Sequence, residues 1–205
     1  MPSAQGWTFE TPNPVMVSEA GNVTLSPSML EINTMGEGAG YGYYSNPGVL
    51  NTGVSYLAFR ARVLATEYAD QGEFGFSFGE WDGAAAYVVG LGIGTVRFYQ
   101  GSSASYDTSV FHTYVLAIDH DAATYSLSAD GNPLLSGSGL AYGPPGMIGF
   151  GDVTGGGNAQ GQLTWLSFGR QLEMPPGGEV PEPGTVALMG AGLAALLAFR
   201  RRNQH

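Results

Sequence analysis

The chain contains no cysteine, which removes disulfides, thiolate catalysis and Cys-type zinc sites together. Lysine is absent as well, and the seven basic residues are all arginine. Charged residues make up only 12% of the 205, about half the ~25% usual in soluble domains. Surface helices draw freely on Lys and Glu, so a lysine-free chain with 33 glycines and 12 prolines argues against a long-helix architecture. What is present is a core: 43% of the residues are apolar, enough to exclude wholesale disorder.

Charge has a sharp geography. Through Val180, sixteen acidic residues face four arginines (Arg60, Arg62, Arg97, Arg170), a net of −12. Beyond it come Glu182 and the cluster Arg200, Arg201 and Arg202, which bring the whole chain to −10. So acidic a body repels phosphate backbones, and nucleic acid is excluded as its partner.

The C-terminal end is the most specific stretch. Pro175-Pro176-Gly177-Gly178 sustains neither helix nor sheet and reads as part of a linker over 171–179. Val180-Pro181-Glu182-Pro183 then precedes Thr185–Phe199, an uncharged apolar run, and the three arginines follow. As a helix this run reaches about 22 Å, short of the ~30 Å hydrocarbon core, and its alanines and glycines make it weakly hydrophobic. Such dimensions suit a transient, processed signal in a short transmembrane helix better than a permanent anchor. A helix docked on the body is the rival reading, but the run has no polar face to turn to solvent. The arginines place its C-terminal side in the cytoplasm and the acidic body outside.

Pro-Glu-Pro, an apolar helix and a terminal arginine cluster, in that order over 180–203, resemble the PEP-CTERM sorting signal of exopolysaccharide-producing Gram-negative bacteria. The resemblance implies export, an inner-membrane-anchored precursor and cleavage by an exosortase near the motif. Val180, Pro181, Glu182 and Pro183 would be the sorting motif, and Arg200, Arg201 and Arg202 the cytoplasmic anchor. The mature product would then lie in the cell envelope or extracellular matrix. Export also needs an N-terminal signal, and Met1–Trp7 has neither a basic nor an apolar region. Ser3-Ala4-Gln5-Gly6 is similar to the small-residue end of a signal peptide, so the natural start is expected upstream.

From Trp7 to Arg170 the pattern is all-β. Leu57, Phe59, Ala61 and Val63 alternate with Arg60 and Arg62, which predicts a half-buried strand. Phe74–Phe78, Ala85–Leu91, Thr95–Tyr99, Tyr114–Ile118, Tyr125–Ala129, Met147–Phe150 and Leu163–Phe168 continue the rhythm. Asp130-Gly131 supplies a hairpin turn. Ten or so short strands without helices predict an antiparallel β-sandwich or jelly roll. Phe111-His112-Thr113-Tyr114 through Tyr125, Asp130-Gly131 and Leu134-Leu135 resembles a hairpin of concanavalin A-like, laminin-G-type jelly rolls, with Phe111 where Trp is usual. Many relatives of that fold bind sugars, which points to exopolysaccharide as a partner.

Candidate site residues are few. Glucanases of this fold carry Glu-x-Asp-x-x-Glu, because retaining hydrolysis needs two carboxylates ~5–5.5 Å apart. Here there is only Glu80-Trp81-Asp82 followed by alanines, which reads better as a polar turn. No nucleophile stands out beside His112 and His120, read as a strand-start and a turn residue, and no enzyme activity is expected. Asp119 and Asp121, with Thr124 near, are candidates for Ca²⁺, and Asp152 precedes a glycine-rich loop; both acids equally suit a turn cap. No other cofactor is indicated. Among the aromatics beside glycine-rich segments (Tyr41, Tyr43, Tyr44, Trp81, Tyr87, Tyr99, Tyr106, Tyr142), Trp81, Tyr87 and Tyr99 are the carbohydrate-binding candidates. A structural surface protein without ligand, or a glycoside hydrolase, are the alternatives.

Overall fold

In the computed structural model, residues 2–11, 16–38, 40–67, 75–142, 146–153 and 157–174 are described. Two antiparallel sheets face each other. The first is built from β1 (Thr8–Glu10), β4 (Tyr43–Asn46), β14 (Met147–Gly151), β6 (Phe76–Trp81), β7 (Ala85–Gly92), β8 (Thr95–Phe98) and β9 (Ser103–Ser105), in that spatial order. A two-residue strand, β13 (Leu140–Ala141), pairs with the start of β7. The second sheet runs β12 (Asn132–Ser138), β11 (Thr124–Ala129), β10 (His112–Asp119), β5 (Val54–Glu67), β15 (Asn158–Gly169), β3 (Met29–Asn33) and β2 (Val23–Ser26). One helical turn, α1 (Glu19–Asn22), capped by Ser18, and a 3-10 turn (Pro2–Gln5) complete the described elements.

Period-two patterning decides which side chains meet between the sheets. In β5, Leu57, Phe59, Ala61 and Val63 are fully buried while Arg60 and Arg62 reach the outside. Phe59 stacks on Phe78 of the other sheet at 3.8 Å between ring centres, and Phe98 stacks on Tyr125 at 3.5 Å. These ring pairs clamp one sheet to the other. Asp130 (φ 48°) and Gly131 (φ 77°) form the β11–β12 hairpin, with positive φ at both central positions as a type I′ turn demands.

The expected sandwich is therefore present, with more strands than the alternation suggests. Four of them, β1 to β4, precede residue 55. They are short and lie toward one edge of each sheet, where pairing supplies what the pattern lacks. The sorting motif Val180, Pro181, Glu182 and Pro183, the apolar helix 185–199, the Pro175–Gly178 stretch and Arg200, Arg201 and Arg202 lie outside the described residues.

Candidate functional site

The outward face of the first sheet carries an aromatic hollow of about 90 Å³ lined by Trp81, Val88, Tyr99, Tyr142 and Val153. Alternation in β6 turns Phe76, Phe78 and Glu80 inward and Trp81 outward. Val88 of β7 and Tyr99, just past β8, point the same way and pack beside Trp81. Tyr99 is held there by its backbone N–H, which donates to the Val88 carbonyl at 2.8 Å. Gly149 of β14 makes room for the indole: a Cβ on it would lie 3.1 Å from Trp81 Cζ3. Trp81, 8% exposed, is the floor of the hollow, whereas Tyr142, 52% exposed, offers an open ring. Tyr41 and Tyr43 form a second ring pair, 6.3 Å apart, beside β4.

Two of the three carbohydrate-binding candidates, Trp81 and Tyr99, thus share one surface. Tyr87 does not. Its position in β7 is opposite Glu80, so its ring enters the space between the sheets and is fully buried. The correction follows from parity: Tyr87 and Val88 are neighbours in one strand and must face opposite ways. Tyr142 takes its place in the hollow, brought there by the backbone bond from its N–H to the Ala84 carbonyl.

Behind the hollow lies a buried polar chain. Asp82 Oδ2 meets His120 Nδ1 at 3.0 Å, and His120 Nε2 meets Ser55 Oγ at 2.9 Å. The Ser55 hydroxyl donates to Glu80 Oε2 at 3.0 Å, while Glu80 Oε1 accepts from the Leu50 N–H at 3.1 Å. The side chains of Glu80 and His120 have no exposed surface, and Ser55 is fully buried. Burial pushes the Glu80 carboxyl up to about 7, against the pull of His120, Ser55 and the Leu50 N–H. Burial also acts to raise Asp82, but the His120 hydrogen bond and the Ala85 and Ala84 N–H groups outweigh it and hold its carboxyl below the usual value. Tyr87 packs edge-on to His120, and its hydroxyl has no partner among the described residues.

Serine, histidine and aspartate stand here in the linear order of a hydrolase triad, but the serine is closed off from solvent and hydrogen-bonded to a second carboxyl. Glu80 is also no turn residue: it lies within β6, which Trp81 ends, and only Asp82, Gly83 and Ala84 make the turn, with Gly83 at φ 93°. No local spacing could have linked Ser55 to His120, since they meet only through the antiparallel pairing of β5 with β10.

The calcium candidates are engaged as acceptors of backbone N–H groups, Asp119 within its own turn and Asp121 from another loop. Asp119 Oδ1 accepts from the Ala122 N–H at 3.0 Å, and Asp121 Oδ1 from the Gly53 N–H at 3.1 Å. Among the described residues no cluster of three or more acidic or His side chains is arranged to hold a metal ion. His112 does begin β10, where Asp130 accepts from it and from the Thr113 N–H.

Residues 179–202 match the PEP-CTERM protein-sorting motif. The chain carries a PEP-CTERM sorting signal. That signal indicates an exported, membrane-anchored precursor of a Gram-negative bacterium. Among the described residues no helix is long and apolar enough to cross a membrane. The body is similar to a native glycosidic hydrolase (TM-score 0.53, 14% identity, 83% of this chain and 93% of that one). It is also similar to the metal-free carbohydrate recognition domain of Emp46p (0.52, 11%, 82% and 90%) and to the cellulose-induced protein Cip1 (0.51, 13%, 82% and 92%). At these identities the likeness is one of fold, a concanavalin A-like jelly roll. No curated protein sequence matches the chain.

Proposed function

We propose that this PEP-CTERM protein is exported, held at the inner membrane by its tail, cut by an exosortase near Pro181–Pro183, and delivered to the envelope or extracellular matrix. There its jelly roll binds exopolysaccharide without catalysing a reaction. The observation that carries the binding half is the hollow, where Trp81, Tyr99 and Tyr142 gather from three separate segments onto one outward face. Aromatic rings with a polar tip beside apolar surface suit a ligand that is wet on one side and apolar on the other, as a pyranose ring is. The fold neighbours named for carbohydrate recognition and glycoside hydrolysis support the same class of ligand.

The non-catalytic reading is supported by where the carboxyls lie. Glu80 faces the interior and is linked to Asp82 through His120, so the pair does not flank an open cleft as glycoside hydrolysis requires.

Retention on immobilised exopolysaccharide from a producing strain tests the proposal. Replacing Tyr99 and Tyr142 together by Ala, and separately Trp81 by Ala, is expected to weaken retention by about tenfold or more, ~1.4 kcal/mol. Undiminished retention of both variants contradicts binding at the hollow. No retention of the parent chain leaves a purely structural surface role, and release of reducing sugar by the parent revives hydrolysis.

A further inference from the structure

The opposite side of the sandwich, the outward face of the second sheet, carries a different feature. Of the four arginines in the acidic body, Arg60 and Arg62 stand two residues apart on the central strand β5, both directed outward. Two residues of strand separate their Cα atoms by roughly 7 Å. Both guanidinium groups lie over the ring of Phe111, 5.1 and 4.6 Å from its centre. Thr113 and Trp165 flank Arg60 on the neighbouring strands, and Gln162 flanks Arg62.

Among the described residues no carboxylate lies within 4.0 Å of either guanidinium. Arg62 Nε donates to Gln162 Oε1 at 2.7 Å. Glu31 stands behind that amide, accepting from Gln162 and Gln160, and reaches the pair only through it. Two like charges this close repel each other by roughly 1–2 kcal/mol near a protein surface, and the ring beneath offsets only part of it. The arrangement is a preformed fork of donors awaiting an acceptor.

We infer that this face binds a carboxylate-bearing polysaccharide, a chain of uronic acid type, with carboxylates on Arg60 and Arg62, which Phe111 supports from beneath, and sugar faces against Trp165. Planar guanidinium groups match carboxylates in a two-bonded fork, and a uronate brings a carboxylate and an apolar ring face on one unit. The net charge of −12 on the body selects against dense polyanions such as duplex DNA, which carries a charge every ~1.7 Å. It also disfavours a second copy of this chain, which would bring its whole acidic body to the contact. A flexible chain with one carboxylate per sugar unit carries charge less densely than duplex DNA and pays less of this cost. The inference rests on the proposed polysaccharide partner for its ligand class but not on the aromatic hollow.

The test uses the full chain in mild detergent on immobilised polygalacturonate, on its fully methyl-esterified form and on neutral dextran. Retention is expected on the acid form alone, weakening as salt rises to about 0.5 M. Arg60→Gln with Arg62→Gln is expected to lower retention at least about tenfold, whereas Arg170→Gln, which removes one exposed charge just past β15, leaves it unchanged. Failure of the hollow is read in its own variants on producer exopolysaccharide, and failure of this face in the Arg60 and Arg62 variant on the acid polymer. Equal retention on the esterified polymer, none on the acid form, or an Arg variant that binds like the parent overturns the inference. So does an Arg variant whose only change is loss of a dimer in sedimentation, since that assigns the face to a second copy.

Discussion

Glu80 shows how much one residue's parity matters. Sequence alone reads Glu80-Trp81-Asp82 as a polar turn, whereas the fold keeps Glu80 and Trp81 in β6 on opposite faces. In the fold the carboxylate goes in and the indole goes out. A carboxyl that holds its proton more tightly in the folded chain than in the unfolded one stabilises fully below the unfolded value, here 4.5, and that contribution is lost as pH rises through about 7. The Asp82 shift is in the opposite direction and acts at more acidic pH. The unfolding free energy from urea titration should therefore fall between pH 5 and pH 8 through Glu80, by an amount of order 2–3 kcal/mol. Glu80→Gln, whose amide still accepts from Leu50 N–H and bonds Ser55, should flatten this dependence and be the more stable chain at pH 8. A variant that keeps the parent's slope would show that another group sets it. Parity also explains the misplacement of Tyr87: an aromatic next to a glycine-rich segment can face either layer, and composition does not choose.

At the scale of elements, strands with strict alternation and large side chains were legible. The core faces of β5, β10 and β11 follow Leu57–Val63, Tyr114–Ile118 and Tyr125–Ala129 as read from the pattern. The strands before residue 55 were not, because short segments such as Tyr43–Asn46 and Thr8–Glu10 hold too few alternations to stand out from their glycine- and proline-rich surroundings. Long-range pairing selects them. The longest strands, β5 and β15, pair over most of their length with two register shifts, and Gly161 sits at one of them. A Cβ there would lie 2.2 Å from Cγ of Phe76, a buried ring of the other sheet. Gly161 thus sets how near the two sheets come. Gly161→Ala should destabilise by about 1–3 kcal/mol through overpacking, read as a lower denaturant midpoint with an unchanged slope. An unaltered midpoint would mean that the sheets separate at no cost.

At the scale of the whole molecule, body and tail were legible to different degrees. The tail's order of proline motif, apolar run and arginines is a local signal, readable without a fold, and it coincides with the sorting motif over residues 179–202. The site on the body is not local. The hollow draws Trp81, Tyr99, Tyr142 and Val153 from segments that only the sheet order brings together, and the polar chain joins Ser55 to His120 in the same way. The acidic, lysine-free composition disfavours contact with nucleic acid and between copies of the chain. The account stands on the tail acting as a removable address. Mass spectrometry of the protein recovered from the envelope of a producing cell tests this most directly. A C-terminus within or just before Val180–Pro183, with the segment through Arg202 gone, is the predicted result. A chain recovered from the cytosol with Arg200, Arg201 and Arg202 still attached, and none in the envelope, would contradict it.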